Sequence, residues 1–237
     1  MSAAADYQGG ELELFQHAHN WKAYLRARLT PLLRGEVLEV GAGLGSTTRA
    51  LVGPAATSWL CLEPDREMQA QLAREIEVGD LPGVCRTQCG TVADLPEGPA
   101  FDAILYVDVL EHIENDASEL ANAALRLRAG GRIVVMSPAH AWLYSPFDAA
   151  IGHFRRYRRA DAATLTPEGM TLEAAAYIDC VGLAASAANK LLLRAAMPTL
   201  GQVLTWDRLM VPVSRRLDAV LGHKLGKSVV FIWRKPA

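Results

Sequence analysis

The chain has 237 residues, 51% hydrophobic and 21% charged, a profile that excludes intrinsic disorder and collagen-like repetition. At this length about 70% or more of the unfolded chain's surface can be buried, so the core needs neither disulfides nor a metal to hold it. The net charge of -2 hides a division, 8 Lys+Arg against 19 Asp+Glu in residues 1–125 and 16 against 7 in residues 126–237, which points either to two surfaces with different partners or to one site that uses both signs.

No basic stretch followed by an apolar one opens the chain, and no run of about 18 uncharged apolar residues occurs, so a cytoplasmic location is expected. Residues 1–34 read as a helical cap. Short apolar runs at 36–40, 58–62, 84–88, 101–107 and 132–136 then alternate with helical patterns. Their continuous hydrophobicity is that of parallel strands covered on both faces, so a doubly wound α/β sheet is predicted. A polar loop over 138–159 follows, then a strand over 172–180, a mostly apolar helical insertion over 182–227, and a last strand over 229–233. The whole is read as one domain, with a cofactor half at 35–137, an acceptor loop and sixth strand at 138–181, and the last strand within 228–237. Cys61, Cys85, Cys89 and Cys180 form no CxxC pair and read as reduced, buried thiols within strands.

The strongest local signal is VLEVGAGLG, residues 37–45, a strand running into a turn with Gly41, Gly43 and Gly45 and then a helix. Glycines there let a ligand lie against the backbone where a Cβ would collide. The second strand ends at Glu63-Pro64-Asp65, and a carboxylate at that edge can accept both hydroxyls of a ribose. The spacing departs from the GxGxxG of nicotinamide enzymes, which disfavours that alternative.

With LEPD at 62–65, CGTVADLP at 89–96, FDAILYVDVLEHI at 101–113 and the LxxGG turn at Leu127–Gly131, the sequence resembles the class I S-adenosylmethionine-dependent methyltransferases. The resemblance implies a Rossmann-like seven-stranded, mostly parallel sheet with an antiparallel last strand. It assigns S-adenosylmethionine, and the product S-adenosylhomocysteine, to Glu39, Gly41, Ala42, Gly43, Gly45, Glu63, Pro64, Thr91, Val92 and Tyr106. Glu39 takes the amino group and Glu63 the ribose. Many relatives carry an Asp for the adenine amino group where this chain has Gly90-Thr91-Val92, so Thr91 and backbone substitute, with Asp94 as a further candidate. A helix carrying Phe15, His17, Asn20 and Trp21 precedes the first strand, and residues 7–21 are placed to fold over the cofactor.

The loop after the fifth strand borders the acceptor pocket in such a fold. It resembles a bacterial subgroup with the pattern PAxxxLYxxxDxxxGHxRRY, here residues 138–157. His112, His140, His153, Arg156 and Tyr157 are the catalytic candidates. His112 is either a base or, with Glu111, a helix-start cap. Arg155 is expected either to serve the site or to pair inward with Asp148, and Arg158 and Arg159 read as solvated. Asp108-x-x-Glu111-His112 is similar to the ExxEH metal pattern of ubiquinone-pathway O-methyltransferases, but with the first carboxylate shortened no metal is assigned.

These readings converge on a methyltransferase for a small or lipid-linked acceptor, anionic or amphiphilic, methylated at oxygen. The alternative is a non-catalytic adenosine-ligand sensor or assembly partner of the same fold, against which the polar loop argues. Nucleic acid is disfavoured by a pI near 6.3. Residues 190–221 combine leucines with Arg194, Arg208, Arg215 and Arg216, a composition suited to a pocket lid, peripheral membrane contact or a homodimer face.

Overall fold

The computed structural model describes residues 14–190 and 199–237. Residues 7–13 of the expected cofactor cover, and Arg194 with the rest of 191–198, lie outside the described residues.

Seven strands form one sheet: β1 (Gly35–Val40), β2 (Ala56–Glu63), β3 (Cys85–Cys89), β4 (Phe101–Val107), β5 (Leu127–Pro138), β6 (Thr171–Ile178) and β7 (Ser228–Arg234). Their order is β3-β2-β1-β4-β5-β7-β6. The first five pair in parallel, and β7 runs antiparallel to both β5 and β6. The chain order reverses between β1 and β4, which opens a crevice at the carboxyl ends of these strands.

Successive residues of a strand face opposite sides, and both sides are apolar here. Leu38, Val40, Leu60, Leu62, Ile104, Tyr106, Ile133 and Val135 pack on one side with Leu120, Ala123 and Ala124 of α4 (Asp116–Arg126). Val37, Trp59, Cys61, Ala103, Leu105 and Met136 pack on the other with Tyr24, Leu25 and Leu29 of α1 (His19–Leu29). Leu51 of α2 (Ser46–Leu51) and Leu72 of α3 (Arg66–Glu77) complete that layer. Asp65 starts α3 by accepting from the N–H groups of Glu67 and Met68, and Asn115 starts α4 by accepting from Ser118. Each supplies an acceptor to otherwise orphaned donors.

Beyond β5, α5 (Pro146–Ala150) and α6 (Asp161–Thr164) interrupt the acceptor-side loop. Between β6 and β7 lie α7 (Cys180–Ala188), α8 (Leu200–Thr205), a π-helical turn (Trp206–Met210) and α9 (Val211–Val220). Buried carboxylates tie this run to the rest. Asp207 accepts from Asn20 and Trp21, and Asp218 accepts from Tyr24 Oη and the N–H groups of Asp179 and Cys180. Two cysteine expectations are corrected: Cys89 is exposed at the end of edge strand β3, and Cys180, partly exposed, opens a helix. Among the described residues no helix is long and apolar enough to cross a membrane.

Candidate active site

The turn after β1 carries positive φ at Gly41 (67°), Gly43 (54°) and Gly45 (73°). A Cβ on Gly41 would come within 2.6 Å of Val109 Cγ2, so glycine is required there by space as well as by backbone angle. The N–H groups of Gly41 and Ala42 are spent on Leu62 O at the end of β2, at 2.8 and 3.2 Å. Glu63 Oε2 then accepts from Gly43 N–H at 2.8 Å, and Oε1 accepts from Asp65 N–H at 3.0 Å. These bonds aim a carboxylate at the switch point with lone pairs left for further donors. Burial, the dominant influence, raises its pKa.

Glu39 is buried on β1. Its Oε2 accepts from Thr48 Oγ1 and Trp59 Nε1, both at 2.7 Å. Burial lifts its carboxyl to about 7 despite those two bonds. Thr91 caps the turn Val92–Asp94, donating through both N–H and Oγ1 to Asp94 Oδ2 at 2.8 Å. Thr91, Asp94 and Pro64 are exposed at the same sheet edge.

Across the crevice, β4 ends in Asp108, a non-glycine residue at φ 54° whose N–H donates to Met136 O at 2.9 Å. The residue is exposed to solvent, yet protein crowds the surroundings of its carboxyl. That crowding raises its pKa to about 6, against the pull of His153, Lys227 and Arg156. The turn Leu110–His112 follows. Glu111 is fully buried; among the described residues neither of its carboxylate oxygens has a donor in hydrogen-bonding geometry, while His153 Nε2 lies 3.8 Å from Oε1. The His112 and His153 rings meet edge to face with centroids 4.5 Å apart. Burial, then His153, lowers the His112 pKa to about 4. One ligand atom each from Glu111, His112 and His153 lie within 4.8 Å of one another, a grouping that could hold a divalent ion. Asp108 is outside it, so the sequence pattern maps only in part.

Asp148 organises the loop. Fully buried, it accepts from Arg156 through Nε (2.8 Å) and Nη2 (3.0 Å), from His153 Nδ1 (3.0 Å), and from Ser145 N–H and Oγ. His153 and Arg156 hold its carboxyl well below the usual range, although burial opposes them. Arg155, for which pairing with Asp148 was one of two expectations, instead reaches Asp116 at 2.7 Å and Glu114 O. Arg158 pairs with Asp161 at 3.0 Å. The loop's arginines are therefore largely committed to carboxylates of this chain.

Among the described residues Lys227, half-buried at the crevice edge, is in no ion pair, and no sequence motif singled it out. It precedes β7, and because β7 is antiparallel its start returns to the crevice edge. There Ala139 N–H donates to Lys227 O at 2.8 Å, and Lys227 N–H donates to Asp179 O at 3.0 Å. Its ammonium lies 5.0 Å from the Trp206 ring centroid, with no ion pair among the described residues. Burial lowers its pKa, while Asp179 opposes the shift. Beside it, His140 Nε2 is 2.9 Å from Gly226 O, and its ring stacks on Tyr177 at 4.8 Å.

Three expected site residues lie in the core. Tyr106 is fully buried and donates to Glu119 at 2.9 Å, because its strand position faces α4. Val92 is fully buried in the same cluster, so only its backbone reaches the loop surface. Tyr157, 3% exposed, donates its hydroxyl to Asp116 at 2.9 Å, with Leu110 O a second acceptor at 3.2 Å. It braces the loop against β4 and is a positioning residue.

A sheet of this order, with a glycine turn and an acidic strand end at its switch point, has counterparts among known proteins. Residues 38–135 match a protein family described as a methyltransferase domain. By structure the chain is similar to phosphoethanolamine N-methyltransferase 2 of Haemonchus contortus (TM-score 0.62, 13% identity, covering 97% of this chain and 58% of that one). It is also similar to the N-methyltransferase NodS of Bradyrhizobium japonicum WM9 (TM-score 0.57, 14% identity, 94% and 97%). The fold is the Rossmann-like methyltransferase fold. By sequence, this methyltransferase-fold chain is 34% identical over 131 residues to the demethylmenaquinone methyltransferase of Tropheryma whipplei (strain Twist), covering 54% of this chain and 52% of that protein. It is 31% identical over 112 residues to an O-methyltransferase of Penicillium expansum, covering 46% and 40%. The chain thus spans about half or less of the length of these curated relatives.

Proposed function

We propose that the chain is a class I S-adenosylmethionine-dependent methyltransferase acting on a small or lipid-linked acceptor, anionic or amphiphilic, at oxygen. The observation that carries this reading is Glu63, fixed by Gly43 N–H at 2.8 Å beside three positive-φ glycines. That constellation fits a ribose against a bare backbone turn. The cofactor, when bound, supplies a methyl group on a positive sulfonium. Glu63 would accept the ribose hydroxyls, the turn from Gly41 to Gly45 would hold the cofactor's amino-acid part, and Glu39 would answer its ammonium. Thr91, with Pro64 and Asp94 beside it, would edge the adenine side.

In-line displacement asks the protein mainly to align the acceptor and exclude water. Asp108 and Lys227 face the acceptor half of the crevice, the first to take a hydroxyl proton and the second to hold an anionic group. His140 and Tyr177 offer a flat wall. His153 and Arg156, locked to Asp148, set the loop's shape, and His112, its pKa lowered to about 4 by burial and by His153, is neutral at pH 7 and a weak proton acceptor. The O-methyltransferase among the relatives supports oxygen as the methylated atom.

Calorimetry with S-adenosylhomocysteine tests the reading. Wild type binds at micromolar concentrations, and Glu63→Ala loses about 10- to 100-fold, the worth of one or two hydrogen bonds to a charged acceptor. A folded sample that shows no binding at millimolar ligand sinks the proposal.

A further inference from the structure

The run between β6 and β7 has an outward face that methyl transfer does not use. More than half of the exposed large apolar side chains among the described residues lie between 200 and 225. Leu209, Val213, Leu217, Val220 and Leu221 recur at three- and four-residue steps, so they form one stripe along the π-turn and α9, with Leu225 beyond its end. Val220 is 82% and Leu209 66% exposed.

Charge on this face is of one sign. Arg208, Arg215, Arg216 and Lys224 are exposed beside the stripe. The two carboxylates of residues 199–225, Asp207 and Asp218, are buried and turned inward onto α1 and Asp179. Within residues 199–225 solvent therefore meets leucine, valine and cations, and no carboxylate of that run is exposed. A second copy laid on this face would set like charges against each other. An anionic bilayer complements both features: the stripe enters the boundary of headgroups and acyl chains while the cations meet lipid phosphates.

We propose that this face docks the protein on an anionic lipid surface. The inward side of the same run carries Trp206 over Lys227, so docking places the crevice next to the bilayer. That last link rests on the lipid-linked acceptor reading; the docking does not.

Sedimentation of the full chain with extruded vesicles tests the proposal. With phosphatidylcholine and phosphatidylglycerol at 3:1, at about 0.1 M salt, the protein pellets, and with phosphatidylcholine alone at least tenfold less does. Leu217→Glu/Val220→Glu and Arg215→Glu/Arg216→Glu each weaken pelleting at least tenfold. Because these side chains are exposed, both variants keep wild-type circular dichroism. The proposal is overturned if folded wild type ignores the anionic vesicles or if both variants bind unchanged. It is equally overturned if light scattering shows a dimer that Leu217→Glu/Val220→Glu dissociates, which would give the face to a second copy. Vesicle binding without S-adenosylhomocysteine binding upholds the docking and rejects the methyltransferase reading, so the two fail separately.

Discussion

Glu39 carries opposing demands, because a carboxylate placed to answer an ammonium is also buried among Thr48, Trp59 and Cys61. Its pKa of about 7 exceeds the ordinary value near 4.5, so the folded state holds the proton more tightly than the unfolded one. Its contribution to stability is therefore fully present below about pH 4.5 and is lost as pH rises towards 7. Glu39→Gln keeps an acceptor for Thr48 and Trp59 and removes the ionisation. Denaturation at pH 4.5 and pH 8 should show the variant gaining on wild type at the higher pH only, by up to about 3 kcal/mol, while its affinity for S-adenosylhomocysteine falls. Parallel pH profiles would refute this. Asp148 is the reverse case, a buried ion pair in which losing one partner strands the other. Asp148→Asn should lower stability by about 3 kcal/mol, seen as a drop of about 6–12 °C in Tm. Arg156→Met added to it should cost little more, since the pair acts as a unit. Glu63 and the three glycines were readable from sequence because strand ends locate them. The Asp148 partners were not: adjacent Arg155 and Arg156 point to different carboxylates, and composition does not say which goes where.

The first helix illustrates the same limit for whole elements. A helical cap ahead of β1 could be read from the sequence, but α1 has no side-chain cap of its own. The N–H groups of its second and third residues, Asn20 and Trp21, are met by Asp207 from 187 and 186 residues away, at 3.1 and 2.8 Å. Trp21 also packs on Trp206, with ring centroids 5.4 Å apart. A carboxylate at a helix N-terminus satisfies orphan donors and complements the helix dipole. Asp207→Ala should therefore cost about 1–2 kcal/mol. Amide hydrogen exchange should accelerate most across residues 19–24, with the sheet little changed; uniform acceleration would show that Asp207 acts on global stability instead. The central strands β1, β2 and β4, by contrast, were legible to within a residue or two, because each is a continuous apolar run covered on both faces; β5 is longer than its apolar run, beginning at Leu127 within the segment read as a turn. The helices between β6 and β7 were legible as apolar but not in orientation, since the inward Asp207 and Asp218 decide which side faces out.

At the scale of the molecule, the acidic front half and basic back half are joined by ion pairs. Arg155 meets Asp116 at 2.7 Å and Arg128 meets Asp102 at 2.9 Å, each pairing a back-half cation with a front-half carboxylate. Arg132, Arg156 and Arg158 are neutralised within the back half by Glu173, Asp148 and Asp161. What these pairs leave uncompensated includes the cations of residues 208–224, gathered on one side, so a chain of net charge -2 presents a positive pole. Adsorption responds to the local field over about a Debye length, roughly 10 Å at 0.1 M salt, rather than to net charge. Despite its pI near 6.3, the protein should be retained on a sulfonate cation exchanger at pH 7.5 and low salt. Arg208→Glu/Arg215→Glu/Arg216→Glu should pass through. Exchange of Arg158 and Arg159, exposed cations of the acceptor loop, should leave retention nearly unchanged. If that exchange abolished retention as fully as the triple variant, the positive pole would lie on the loop and the helical face would lose its electrostatic basis.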